Sequence, residues 1–129
     1  AVLAAGAGRA SGAGLMATCL DARMERAYLA LYRVVPAQMP VAIFRDALID
    51  PGDFRLPGAE PFTAVGGGWL AYPPILARHG SRVAAVDASL LPSARDLLSM
   101  AIAEFAAGRT VTAEEALPEY LGQVPGTGA

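Results

Sequence analysis

CLDARMERAYLALY, residues Cys19 to Tyr32, is the stretch on which the fold turns. It begins inside a short apolar run, Leu15 to Asp21 (LMATCLD), that ends in a carboxylate and predicts a buried strand. Arg26 to Val34 (RAYLALYRV) follows, with Tyr28, Ala30 and Tyr32 alternating against Ala27, Leu29, Leu31 and Arg33. Aromatic residues spaced by two or four suit a pleated surface, so a second strand is predicted. The connection, Ala22 to Glu25, is too short for a crossover and fits a hairpin. It carries no Asn-Gly or Asp-Gly signal, which leaves the turn type open.

Outward from the hairpin, Met39 to Phe44 (MPVAIF) predicts a third strand, with Pro40 at its start or on an edge. Asp50 to Pro61 (DPGDFRLPGAEP) reads as surface turn structure. Phe62 to Val65 predicts a short strand stopped by Gly66, Gly67 and Gly68. Trp69 to His79 predicts a helix whose regular part starts at Pro73 and Pro74, since proline is tolerated only in a first turn. Gly80 ends it, and Arg82 to Asp87 predicts the last strand. Pro92 to Ala107 predicts a helix with Ser93 and Asp96 placed as in a capping box. Its stripe is Leu98, Ile102 and Phe105, and Gly108 closes it. Thr112 to Glu115 predicts a further short turn, with Tyr120 and Leu121 docking back. Strands and helices in this mix define an α/β domain with a mixed sheet and flanking helices.

Composition limits the function classes. The chain has 129 residues, 54% hydrophobic and 17% charged, which fits one packed domain. Its formal charge is −2, and all ten basic residues are arginine, with no basic cluster to mark a nucleic-acid surface. Cys19 is the only cysteine, so no internal disulfide forms, which fits a reducing, cytoplasmic compartment. The opening AVLAAGAGRASGAG lacks the basic start and unbroken apolar run of a secretory signal, and no run is long enough to span a membrane. Residues 1–14 read as the remnant of a lead-in helix and 122–129 as a frayed tail. A chain that starts in mid-fold should expose an apolar face where its other half belongs.

Several residues invite a chemical reading. Gly66 and Gly68 before Trp69 suggest a phosphate loop, yet the Rossmann spacing is incomplete and no lysine exists for a Walker motif. The alternative is a tight strand-to-helix turn. Asp21 and Asp87 each end a strand, and together they suggest a divalent-metal site for phosphoryl transfer; the alternative is that carboxylates at strand ends simply meet water. His79, the only histidine, is expected near a helix end, where a partial positive charge is favourable. With Cys19 it makes a conceivable catalytic pair, against an inert thiol buried in a strand. Trp69 and Tyr72 serve either as a recognition surface or as core. No cluster with metal-ligand spacing is present, and no cofactor is expected.

Four separated segments, in order, resemble the bacterial TsaB (YeaZ) family. Leu20, Asp21, Ala22, Arg23 and Met24, with Tyr28 and Tyr32 beyond, look like its Leu-Asp-Ala-Arg hairpin. VGGGW (Val65 to Trp69) looks like its Val-Gly-x-Gly-Trp turn. Pro92, Ala94, Leu97, Leu98 and Ala101 look like one of its helices, and Ala116, Leu117, Pro118, Tyr120 and Leu121 like its closing segment. Two places depart: the family's Gly-Glu is Glu25 and Arg26 here, and its closing Arg is Gly122. The resemblance implies the later (C-terminal) half of the family, the second lobe of a ribonuclease-H-like, actin/Hsp70-like fold. It further implies a non-catalytic scaffold in threonylcarbamoyladenosine (t6A) modification of tRNA. Its partners would be a TsaD-like transferase, a TsaE-like ATPase and a second copy of itself, and tRNA would be met only indirectly. The positions implied to bind are Asp21, Arg23, Gly66, Gly68 and Trp69. Two other readings stand beside it: a metal-dependent phosphoryl-transfer enzyme using Asp21 and Asp87, and a small nucleotide-binding module around Gly66 to Gly68.

Overall fold

The computed structural model describes residues 1–122. It contains helix α1 (Val2–Ser11), strands β1 (Gly14–Asp21), β2 (Ala27–Val34), β3 (Val41–Ile49) and β4 (Phe62–Val65), helices α2 (Gly68–Ala71) and α3 (Pro73–His79), strand β5 (Val83–Asp87) and helix α4 (Ala94–Ala106). The strands form one sheet in the order β3-β2-β1-β4-β5. β1 pairs antiparallel with β2, which pairs antiparallel with β3, while β4 and β5 continue parallel on the far side of β1. Thus β2 alone runs against the other four.

The alternation in the quoted stretch becomes the two faces of the sheet. Leu15, Ala17 and Cys19 of β1 join Leu29, Leu31, Phe62 and Ala64 on one face, beneath Trp69 and Ile75. Met16 joins Ala30, Tyr32, Val34 and Val65 on the other, beneath Leu3, Ala4 and Ala7 of α1. Both faces of β1 and β2 are therefore covered, which is why β1 is an apolar run rather than an alternating one. Small residues along α1 let it approach the sheet closely.

Three expectations are corrected. β3 continues past Phe44 to Ile49. It is an edge strand, so Arg45 and Asp46 lie in water without breaking it, and bulges opposite Leu29 to Tyr32 keep Phe44, Ala47 and Ile49 near the core. The helix expected over Trp69 to His79 is two helices, because Pro73 starts a new first turn after Tyr72. The third correction concerns α4. Ser93 caps it, with its Oγ accepting from the Arg95 N–H (3.2 Å), and Gly108 (φ 71°) closes it. The stripe expected to pack inward faces water instead. Leu98 and Ile102 are each 61% exposed and Phe105 75%. The buried residue of α4 is Asp96, whose carboxylate takes a bidentate contact from Arg9 of α1 (2.8 and 3.2 Å) instead of reaching back to complete a capping box. The Arg9 bond holds the Asp96 carboxyl below its ordinary pKa.

Beyond α4, Glu115 receives both the N–H and the hydroxyl of Thr112 (3.0 Å each), which closes the short turn. Tyr120 stays exposed. Of the tail expected over 122–129, residues 123–129 lie outside the described residues. No helix among the described residues is long and apolar enough to cross a membrane.

Candidate functional site

The carboxyl ends of β1, β4 and β5 converge at one end of the sheet, where open α/β sheets commonly hold their sites. The residues singled out in the sequence fall here, but they divide into a buried floor and an exposed tip.

The floor is glycine and aromatic. Gly66 leaves β4 at φ 97°, its N–H donating to the Asp87 carbonyl (2.9 Å). A Cβ at Gly66 would stand 2.5 Å from the Cys19 carbonyl oxygen, and one at Gly68 2.6 Å from Cys19 Sγ. These two positions are pressed against the end of β1, leaving no cradle for a phosphate. Trp69 follows and is fully buried, its indole Nε1 donating to the Ala17 carbonyl (2.8 Å). It therefore cannot itself be a contact surface. Phe62 lies against one part of the indole and His79 meets it edge-on (centroids 5.6 and 5.9 Å).

His79 is neutral, contrary to the expected helix-end charge. Its Nε2 accepts the Leu56 N–H (2.8 Å), so the ring proton sits on Nδ1 and donates to the Ile75 carbonyl (2.8 Å). Burial, ahead of the other influences, lowers its pKa. Both nitrogens are engaged, so neither is available to Cys19. Burial pushes the Cys19 thiol up to about 12, the opposite of an activated nucleophile.

The tip is the β1–β2 turn. Arg23, Met24 and Glu25 are all left-handed, at φ 63°, 50° and 58°. The turn is pinned at its base, where the Ala22 N–H donates to the Arg26 carbonyl (2.9 Å) and the Arg23 N–H to Asp21 Oδ1 (2.8 Å). The Tyr72 hydroxyl donates to the same carboxylate oxygen (2.6 Å) and lies 3.0 Å from the Arg26 carbonyl, joining the turn to the α2–α3 junction. The Tyr72 bond, then the Arg23 N–H, lower the pKa of Asp21. Arg23 is exposed and Met24 is 91% exposed.

Asp21 and Asp87 are not brought together. Asp87 lies level with Thr18 across β4, so Asp21 is two strands and three residues away, roughly 14 Å from standard strand spacings. Paired metals sit about 3.5–4 Å apart. Each carboxylate is also engaged locally, Asp87 by the Ser89 N–H and hydroxyl and the Leu90 N–H. Among the described residues no group of three His, Cys, Asp or Glu side chains is placed to hold a metal. Tyr72 binding to Asp21 and Arg9 binding to Asp96 join residues far apart in the chain, and no local pattern announces either.

Left-handed backbone costs a non-glycine residue about 1–2 kcal/mol, offset in part by the greater chain freedom glycine loses on folding. Glu25 stands where the resembled family carries glycine. Glu25→Gly is expected to stabilise the chain by about 0.5–1 kcal/mol, read from the urea midpoint. An unchanged or lower midpoint would mean that this turn carries no strain.

The class so defined is an α/β domain with flanking helices and a mixed five-stranded sheet in which β2 alone is reversed. The chain is similar to TsaB (YeaZ) proteins over about half of their length. It is 33% identical over 124 residues to the tRNA threonylcarbamoyladenosine biosynthesis protein TsaB of Escherichia coli (strain K12), a match covering 92% of this chain and 52% of that protein. An uncharacterized Pseudomonas aeruginosa protein described as similar to peptidase YeaZ superposes with TM-score 0.80 at 36% identity, covering 95% of this chain and 56% of that one. YeaZ from Pseudomonas aeruginosa gives TM-score 0.80 and 36% identity, covering 94% and 55%. No protein-family model matches the chain. The chain spans about half the length of the relatives it matches.

Proposed function

We propose that this chain is a scaffold lobe, without catalysis of its own, supporting a TsaD-type transferase in t6A modification of tRNA. The observation that carries this is the TsaB similarity through the whole hairpin-and-sheet body at TM-score 0.80. The side chains give it support. The Cys19 thiol is buried and raised, His79 is spent on two backbone groups, and Asp21 and Asp87 are each engaged where they stand. In this reading the lobe is the second of two, acting in the cytoplasm beside a TsaE-type ATPase and as a homodimer, and tRNA is reached through the transferase. The contact surface is the tip, Asp21 and Arg23, while Gly66, Gly68 and Trp69 hold it from beneath.

The test is a chimera in which this chain replaces the matched half of Escherichia coli TsaB, expressed in cells depleted of their own TsaB. Restored t6A, measured by mass spectrometry of tRNA nucleosides, together with co-purification of TsaD, is the expected result. A folded chimera that binds no TsaD and leaves t6A at the depleted level overturns the proposal.

A further inference from the structure

The β1–β2 turn is built in a way that a hairpin does not require. Arg23, Met24 and Glu25 are three successive non-glycine residues in the left-handed region. Side chains ordinarily visit that region one residue at a time, because each sets its Cβ against the following carbonyl oxygen. Here they form a single left-handed turn, closed by the Arg26 N–H donating to the Arg23 carbonyl (3.0 Å). A glycine at any of the three would relax the backbone, and short hairpin loops are commonly made with one. Strain of this kind persists only where the surrounding structure enforces it, and such residues cluster at binding sites. The enforcement is visible at the base of the turn. Tyr72 holds Asp21 from the α2–α3 junction, and the Arg26 Nε–H donates to the Ile49 carbonyl on β3 (3.2 Å). What the pinned turn presents is Met24, which at 91% is the most exposed large apolar side chain among the described residues.

The chemistry around Met24 selects the partner. Asp21 and Glu25 are balanced by Arg23 and Arg26, so the tip has no net charge. It lacks the positive excess that draws a phosphate backbone or an anionic lipid surface. A thioether side chain is apolar and adaptable in shape, which suits a socket on a folded protein. Arg23 and Glu25 flank it, both exposed and without an ion pair among the described residues. We infer that Met24 anchors the tip in an apolar socket on a partner protein, whose rim carries a carboxylate for Arg23 and a cation for Glu25. This rests on the scaffold reading, in which the partner is the transferase. Met24 supplies most of the affinity at the tip, and Arg23 and Glu25 set its orientation. Asp21, engaged by Tyr72 and the Arg23 N–H, holds the turn beneath them.

Affinity for purified Escherichia coli TsaD, measured by calorimetry on the chimera described above, tests it. Met24→Glu is expected to weaken binding by about tenfold or more, as loss of an anchor does. Met24→Leu, apolar and nearly equal in volume, should stay within about fivefold. Neither replacement is branched at Cβ and the position is exposed, so equal urea midpoints for the two variants check that the turn survives. Oxidation by hydrogen peroxide gives a second readout that a purely structural role would not move. Met24 should form its sulfoxide fastest of this chain's four methionines. TsaD should slow that reaction by about tenfold or more, with Met39 as the control for the reagent. Binding unchanged by Met24→Glu, an equal loss in Met24→Leu, or Met24 still open to peroxide in the complex overturns the inference and leaves the scaffold reading standing. A chimera that binds no TsaD overturns both. Met24 already protected without TsaD places the socket on the chimera itself, or on its second copy where protection rises with concentration, and overturns the inference as well.

Discussion

Trp69→Ala is expected to destabilise the chain by about 4 kcal/mol, as removal of a fully enclosed aromatic does. Trp69 has no exposed surface, and it touches Phe62 on one side and His79 on another. Its loss would open a cavity at the junction of β1, β4 and α3. It would also strand the Ala17 carbonyl, whose indole donor lies at 2.8 Å. Trp69→Phe separates the two effects. It keeps most of the ring volume and loses the hydrogen bond, so it should cost about half as much. Urea unfolding at neutral pH measures both. Because Trp69 is the only tryptophan, circular dichroism must follow the variants, while wild-type indole fluorescence should be blue-shifted and resist acrylamide. A Trp69→Ala protein as stable as wild type would refute the core role and return this residue to the recognition surface that its position before Tyr72 also suggested.

The parts of the fold legible in the sequence are those whose signal is local. LMATCLD and RAYLALYRV read as strands because β1 and β2 are central, and most positions in them are buried on one face or the other. FTAV was bounded by Pro61 and Gly66, which cut it to the length observed. The strand expected over Met39 to Phe44 runs on to Ile49, and its place on the sheet edge lets Arg45 and Asp46 stay exposed within it. α4 shows a sharper limit. Periodicity established that Leu98, Ile102 and Phe105 share a face, but not whether protein stands opposite that face. That was decided by Arg9 and Asp96, a pair 87 positions apart in sequence, and no local pattern couples them. The candidate site divides the same way. Gly66 to Gly68 stood out as a special backbone, but cradling a ligand and crossing another strand demand the same residue type. Only the position of Cys19 separates the two.

That separation makes Gly68→Ala the second large effect. A Cβ there would stand 2.6 Å from Cys19 Sγ, 2.8 Å from its carbonyl carbon and 2.9 Å from its carbonyl oxygen. Two of those three atoms are backbone in the central strand, which cannot shift without disturbing its pairs on both sides. A cost of about 3 kcal/mol is expected, at the upper end for overpacking. Deleting the sulfur should not repair it, so the Gly68→Ala/Cys19→Ala double variant should regain less than about 1 kcal/mol of the loss relative to Cys19→Ala alone. The middle glycine is the control. Gly67 has φ −65°, and the nearest atom to its Cβ would be the Ala88 carbonyl oxygen at 3.9 Å, so Gly67→Ala should leave the urea midpoint unchanged or raise it slightly. A ligand loop would reverse this order, because its exposed glycine would matter for binding and none of the three need matter greatly for stability. If Gly67→Ala and Gly68→Ala prove equally mild, the close approach to Cys19 is not what requires glycine here, and the case for a buried, structural floor beneath the Asp21–Arg23 tip fails with it.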